Sequence, residues 1–322
     1  PPGRRMRFFL RKILRLILVL LAVSIVAFAM VQAQPGSTAE SICGTTGGQA
    51  CIDQKTEELG LDDPLPTQYF RWLGKALTGD LGEAATTSQP VWDALGERLP
   101  VTIELLIYAQ FLALLFAVPI ALLCAKRAGG IFDRIASTVT FALFSIPNFV
   151  LAVLLVYVFA VELRWFPATG YTDFTDDPIE NLRSLFLPAV SLAVPLMAIY
   201  MRLFRVDLIT SLQEDYVTMA KAKGLSSNRI LLRHAFKPSS LSLFTAIGIN
   251  TGALIGGTFV IEVVFAINGI GLYTVNSIFS QDAAPVQGVV LITAIGYVLV
   301  NFLVDVTYGL LDPRIRHARA LS

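Results

Sequence analysis

Histidine and cysteine are scarce in this chain: 322 residues hold 2 His and 3 Cys. That is too few for a disulfide scaffold, and none shows the close paired spacing of a zinc site, so metal chemistry has little footing. Charge is scarce as well. Asp, Glu, Lys and Arg make up 15% of the residues and their net is +1, so no imbalance points to nucleic acid or to a strongly acidic ligand. A Gly-x4-Gly-Lys-Ser/Thr stretch is missing, which leaves no loop of that type to cradle a nucleotide phosphate. What is abundant is apolar: 55% of residues are hydrophobic and the mean hydropathy is +0.66. So few polar residues cannot cover a water-dissolved globule of this length, and a membrane-embedded chain is the starting hypothesis.

A hydrocarbon core of about 30 Å takes roughly 20 apolar residues to cross as helix. Six segments meet that length: Phe8 to Ala33, Val101 to Ala125, Ile131 to Leu163, Leu185 to Phe204, Leu241 to Ala266 and Val286 to Leu310. Pro119, Pro147 and Pro195 are expected to interrupt the second, third and fourth of these. Lipid tolerates such breaks where neighbouring helices or a cavity satisfy the freed backbone groups, which favours a packed bundle over isolated anchors. A basic start and small-residue ending also fit a secretory signal for the first segment, but its uninterrupted run from Leu16 to Val31 exceeds the usual apolar region of such signals.

Sorting the basic residues by loop gives the orientation. Of the 25, six (Lys55, Arg71, Lys75, Arg98, Arg164 and Arg183) fall on one side and the other 19 on the opposite side. The positive-inside rule then places both termini and the loop 205–240 in the cytoplasm. The chain is expected to comprise a start and first span over 1–33, an outer loop region over 34–100, and a five-helix core over 101–322 that includes the loop 205–240.

In the outer region, Cys43 and Cys51 flank a Gly-rich stretch expected in an oxidising compartment; a bridge between them would stabilise that loop by roughly 2 to 3 kcal/mol, and two unrelated thiols are the alternative. Cys124, at the cytoplasmic end of the second span, reads as simple packing. Pro66 to Leu77 reads as a short amphipathic helix, with Tyr69, Phe70 and Trp72 suited to a bilayer interface. It either rests on the membrane or receives an external partner, and periodicity does not separate the two.

The most patterned polar stretch is EDYVTMAKAKGLSSNRILLRHAFKP, from Glu214 to Pro238. Glu214 and Asp215 suit a helix N-terminus, Lys221 and Lys223 suit its C-terminus, Gly224 can take the left-handed conformation that closes a helix, and Ser226 or Ser227 can cap the next. Helix, Gly turn and helix follow, with small Ala220 and Ala222 expected to expose a close-fitting surface for a cytosolic partner or for the chain's own bundle.

This stretch resembles the EAA-type coupling loop of ATP-binding-cassette importer permeases, specifically the dipeptide/oligopeptide permease family. The resemblance extends to FFLRKILRLILVLLAVSIVAFAMVQAQPG at the start, LGLDDPLPTQYFRWLGKALTGDLG outside, SIPNF at Ser145 to Phe149, and the final stretch from Ile261 to His317, which ends in DPRIRH at Asp312 to His317. Two departures stand out: Phe236-Lys237-Pro238 replaces the usual Leu-Pro ending of the loop, and the Cys43 to Cys51 insert is additional.

The resemblance implies an all-α, six-span type I importer permease in a bacterial inner membrane. Its implied partners are a second homologous permease, two cytosolic ATPases that hold ATP and Mg, and an extracytoplasmic peptide-binding protein, with membrane lipid around it. No cofactor is expected on this chain, and Glu214, Asp215, Tyr216, Ala220, Ala222 and Gly224 would meet the ATPase. In the type I scheme, ATP closes the ATPase pair and opens the bundle outward, and hydrolysis returns it inward-facing. Nickel or opine-like solutes are the alternative cargo within the family.

Two rivals are weaker. An intramembrane hydrolase would need a Ser-His arrangement, yet His234 and His317 both fall in cytoplasmic segments. An ion-driven transporter would want ionisable groups near the midplane, whereas Glu104, Glu262 and Asp305 lie toward span ends, where snorkelling or pairing suffices. Within the fifth span, Gly248, Gly252 and Gly256 recur every four residues and form a face open to close helix packing, either internal or against the second permease. Asn148, Asn250 and Asn301 are polar groups inside spans, suited to interhelical hydrogen bonds or to contact with a peptide backbone.

Overall fold

The computed structural model describes residues 2–32, 39, 43 and 48–311. Its elements are helices: α1 (Pro2–Gln32), α2 (Gly48–Leu59), α3 (Leu65–Leu77), α4 (Val91–Lys126), α5 (Ile131–Phe144), α6 (Asn148–Leu155), α7 (Pro178–Leu212), α8 (Asp215–Ala222), α9 (Ser227–Arg229), α10 (Phe236–Phe265), α11 (Ile270–Phe279) and α12 (Ala283–Leu311). Wide π-helical turns extend α6 over Val156–Glu162 and join α9 to α10 over Ile230–Ala235. Among the described residues the extended pairing is one bridge, Glu83 to Pro90. Asp312 to His317 lies outside the described residues.

Among the described residues, four helical stretches are long and apolar enough to cross a membrane, and the pair α5 and α6 would make a fifth. Within α1, expected as the first span, the apolar stretch Leu16–Met30 is shorter. Two expectations about proline need correction. Pro119 does not interrupt α4, and α7 runs unbroken from Pro178 to Leu212 with Pro188 and Pro195 inside it. By contrast the expected single span Ile131 to Leu163 is two helices bent by 98° at Ser145 to Pro147. Pro147 is extended there (ψ 140°) and its ring also drives the preceding residue out of the helical region, so the break is local and steric.

The chain divides into two compact units. In the unit formed by Thr102–Asn268 and Val300–Ser322, α7 is the axis: 67% of its most apolar stretch is buried, against 22 to 33% for the other three stretches. Tyr200, Met201, Phe204 and Leu208 are buried along it, and α5, α6 and α10 all pack on it. Gln110 donates its amide to the Tyr200 hydroxyl at 3.0 Å, and Phe204 meets Phe236 edge-on at 5.3 Å.

Three carboxylates of this unit, those of Asp133, Glu262 and Glu104, have side-chain partners. Arg205 of α7 grips Asp133 of α5 in a bidentate pair, Nε donating to Oδ1 and Nη2 to Oδ2 at 2.6 Å, and the Gly129 amide donates to Oδ2 as well at 2.8 Å. Thr102 donates to Glu262 at 2.7 Å, and both residues are fully buried. Glu262 therefore follows the pairing half of its expectation rather than the snorkelling half. In the loop before α7 the Tyr171 hydroxyl donates to Glu104 at 2.7 Å; burial, then the bonded carboxylate, push its phenol well above the ordinary tyrosine range. Cys124 is free and buried, consistent with packing.

The glycine face of α10 is not uniform. A Cβ on Gly248 would lie 2.3 Å from the Val304 Cγ2 of α12, whereas one on Gly256 would meet nothing within 4 Å. Gly252 is half-buried between them. Of these two positions the close approach is at Gly248, and at Gly257 a Cβ would stand 3.4 Å from Leu192, about van der Waals contact.

In the other unit, Pro1–Val101 with Gly269–Leu299, α3 packs on α1. Ser24 and Tyr69 share a hydrogen bond at 2.7 Å, and Phe28 meets Tyr69 edge-on and Trp72 at a tilt, with centroids 5.6 and 6.0 Å away. Of the three aromatics expected at a bilayer interface, Phe70 is the one that stays exposed, at 69%. Gln68, buried, donates to the Leu61 and Asp63 carbonyls and fixes the entry to α3. Asp282, also buried, accepts from the Thr86 amide and hydroxyl at 3.1 and 3.2 Å. Cys43 and Cys51 are joined by a disulfide.

Three outcomes test this packing. Gly248→Val should destabilise the purified protein by about 1 to 3 kcal/mol, because stiff Val304 cannot yield, while Gly256→Val should leave the thermal midpoint within about a degree of wild type. Asp133→Ala should cost about 3 to 5 kcal/mol in denaturant melts by stranding Arg205, and Asp133→Leu combined with Arg205→Met should recover much of that. Unreduced peptide mapping of membranes should give a Cys43 to Cys51 cross-linked peptide; free, alkylated thiols at both positions would contradict it.

Candidate functional site

The segment from Ser211 to Phe236 leaves the bundle between α7 and α10. Helix α7 ends at Leu212, Gln213 closes it, and Glu214 is extended (ψ 151°), which turns the chain before α8 begins at Asp215. A carboxylate in that first turn complements the helix dipole, and Lys221 in the last turn does the same at the other end. Gly224 then takes φ +76°, a conformation that costs a β-branched residue dearly. Its amide donates to the Lys221 carbonyl at 2.9 Å and that of Leu225 to Ala220 at 3.2 Å, so the last carbonyls of α8 are satisfied. Ser226 stands at the N-cap of α9, its side chain making no capping bond, and the π turn carries the chain into α10.

The segment has its own small core. Val217, Ala220 and Ile230 are buried together, with Leu212 and Leu225 packed against them. The Tyr216 hydroxyl bonds Ser211 of α7 at 2.6 Å, tying α8 back to the helix it follows. A correction follows for Ala220: expected on the outward surface, it is 7% exposed and forms part of the inner cluster. Ala222 is exposed as expected. The large outward group is Met219, 61% exposed, and Leu232 in the π turn is 59% exposed. Period 3.6 could have found Met219: with Val217 and Ala220 facing in, residues 218, 219 and 222 must face out.

Glu214 and Asp215 are exposed at the head of α8. The outward face is thus an apolar knob, Met219 beside Ala222, framed by a carboxylate at one end and by exposed Lys221 and Lys223 at the other. A methionine on such a face adapts its shape to a partner groove. The face can dock and transmit; among the described residues no group of three His, Cys, Asp or Glu gathers that could hold a metal.

The three asparagines are not brought together as one polar lining. Asn250 donates its amide to the Ala246 carbonyl of its own helix at 2.7 Å, so that donor serves the backbone. Asn148 opens α6 with its amide nitrogen 3.5 Å from where a Gly257 Cβ would stand, a contact at the α6 to α10 crossing. Asn301 is half-buried on α12.

Comparison with known proteins gives a consistent picture. Residues 117–317 match the model of the "Binding-protein-dependent transport system inner membrane component" family, and residues 5–106 match the model of its N-terminal region. The chain is 37% identical over 310 residues to the probable peptide ABC transporter permease protein y4tP of Sinorhizobium fredii, covering 96% of this chain and 99% of that one. It is 32% identical to the dipeptide transport system permease protein DppB of Alkalihalophilus pseudofirmus over 96% and 99% of the two chains. The glutathione transport system permease protein GsiC of Pectobacterium atrosepticum is also 32% identical, over 97% and 99%. A chain of the MetNI methionine ABC transporter, solved in inward-facing conformations, shares the fold at TM-score 0.57 and 18% identity, over 68% of this chain and 96% of that one.

Proposed function

This chain belongs to the binding-protein-dependent transport system inner membrane component family, and from that premise we propose that it is a permease subunit of an ATP-driven peptide importer. The peptide cargo is supported by the names of its relatives, which include dipeptide and glutathione permeases. A second permease completes the pathway, two cytosolic ATPases bind ATP and Mg, and an extracytoplasmic binding protein delivers peptide. The chain is a multi-pass inner-membrane protein, and in this reading both termini and α8 are cytoplasmic, as the distribution of Lys and Arg favours.

The observation that carries the proposal is the construction of α8. Its inner side is locked to α7 and to the π turn by the Val217, Ala220 and Ile230 cluster, while Met219 and Ala222 face out. A cytosolic ATPase that grips the outer face would therefore move the inner anchors with it. Displacement passes through the Tyr216 to Ser211 bond into α7, through the π turn into α10, and through Arg205 to Asp133 into α5. ATP closure would be converted in this way into a change in how the bundle opens, the chain itself making and breaking no covalent bond.

Two substitutions separate fit from backbone shape. Ala222→Glu adds a bulky charge to the docking face. Gly224→Val puts a β-branched residue at φ +76°, at a cost of about 1 to 3 kcal/mol to the turn. Both should insert normally yet reduce bound ATPase, or leave hydrolysis uncoupled from peptide uptake, in reconstituted complexes. Normal ATPase occupancy, stimulation and uptake in both variants would show that α8 is not the coupling element.

A further inference from the structure

On the outer side of the α5 and α7 pair lies a groove of about 80 Å³ whose lining includes Ser137, Phe141, Phe144, Ile199 and Arg202. Its two ends differ in chemistry. Phe141 and Phe144 are 65% and 48% exposed and make one end apolar. At the other end is Arg202, and Arg134 shares the face of α5 that carries Ser137 and Phe141, since 134, 137 and 141 are spaced by three and seven residues. Both arginines are exposed. The nearby carboxylate, Asp133, is already gripped by Arg205. Among the described residues neither the Arg134 nor the Arg202 side chain has an ion pair or hydrogen bond.

Two unpaired guanidinium groups at the mouth of an apolar groove call for a ligand with negative charge at one end and hydrocarbon at the other. A free anion would leave the aromatic end uncovered, and an apolar helix would leave the charges unmatched. The orientation adopted under the proposed function puts this mouth at the cytoplasmic leaflet, where anionic headgroups lie, and the inference rests on that reading. We propose that the groove is a site for an anionic phospholipid, its phosphate held between Arg134 and Arg202 and an acyl chain lying along Phe141 and Phe144. Arginine suits the task because its planar fork meets two phosphate oxygens at once. The bound lipid would fill the outer seam of the α5 and α7 pair, which Asp133 and Arg205 tie together one turn away.

The test uses the intact complex in nanodiscs of phosphatidylcholine with added phosphatidylglycerol, with native mass spectrometry reading the phosphatidylglycerol retained on this subunit. Wild type should retain it. Arg134→Gln and Arg202→Gln should each weaken retention by about fivefold and the pair together by about thirtyfold, as expected for two near-surface charges. Arg134→Lys with Arg202→Lys should recover most of it, and Lys75→Gln, a basic residue in the other unit, should change nothing. A photo-crosslinker at position 141 should capture lipid. Equal retention in the double Gln variant, displacement of the lipid by millimolar inorganic phosphate, or crosslinking of position 141 to a protein chain would each overturn the proposal. Labelling of a cysteine placed at Arg127 from the outer side would instead defeat the orientation, and loss of the copurifying ATPase would defeat the importer reading. Both are read separately from lipid retention.

Discussion

A peptide group surrounded by hydrocarbon has no water to bond, so its N–H and C=O must be satisfied within the chain. That constraint underlies the all-helical architecture and explains which prolines the bundle tolerates. Within α7 the prolines are accommodated because the helix is the most enclosed element, two thirds buried along its apolar stretch. At Pro147 the chain gives way instead and folds through 98°. The difference lies in surroundings rather than in the residue: α7 is one unbroken helix with α5, α6 and α10 packed on it, whereas the segment over 131–163 is exposed along much of both halves.

Because α7 is both the axis of its unit and the helix that ends at the candidate coupling segment, one element links depth to surface. Its C-terminal half buries Tyr200 and Phe204, and the next residue, Arg205, ties it to α5 through Asp133. Buried ion pairs are weak sources of net stability, since desolvation offsets much of the attraction, but they are strict about geometry. Under the proposed coupling role such a joint would gain from strict geometry, and the Gly224 turn and the π turn on either side of α9 add shapes an ordinary helix lacks.

The unit formed by Pro1–Val101 with Gly269–Leu299 is held by different means. Its contacts are aromatic and polar, from Phe28 with Tyr69 and Trp72 to Asp282 accepting two bonds from Thr86, and a disulfide closes its added insert. Short helices such as α2 and α3 bury too little apolar surface to stand alone, so side-chain hydrogen bonds and a covalent link supply what a large core would.

Hydrophobic run length, the sorting of Lys and Arg, and the pattern from Glu214 to Pro238 were legible in the sequence, because each rests on local chemistry: transfer to hydrocarbon, charge at a surface, and capping of a helix end. They gave an all-α membrane bundle with α8 and its Gly224 turn near their true positions. Equivalent residues could not be told apart in the same way. Ala220 faces in and Ala222 out, Gly248 meets Val304 while Gly256 meets nothing, and Pro195 passes through a helix while Pro147 breaks one. The pairing of Asp133 with Arg205, 72 residues apart, and the groove beside it were likewise invisible. Sequence determined which segments are apolar helices and where the polar loop forms, since those depend on nearest neighbours along the chain. Tertiary structure alone decided which side of each helix is covered, since that depends on which distant helix packs against it.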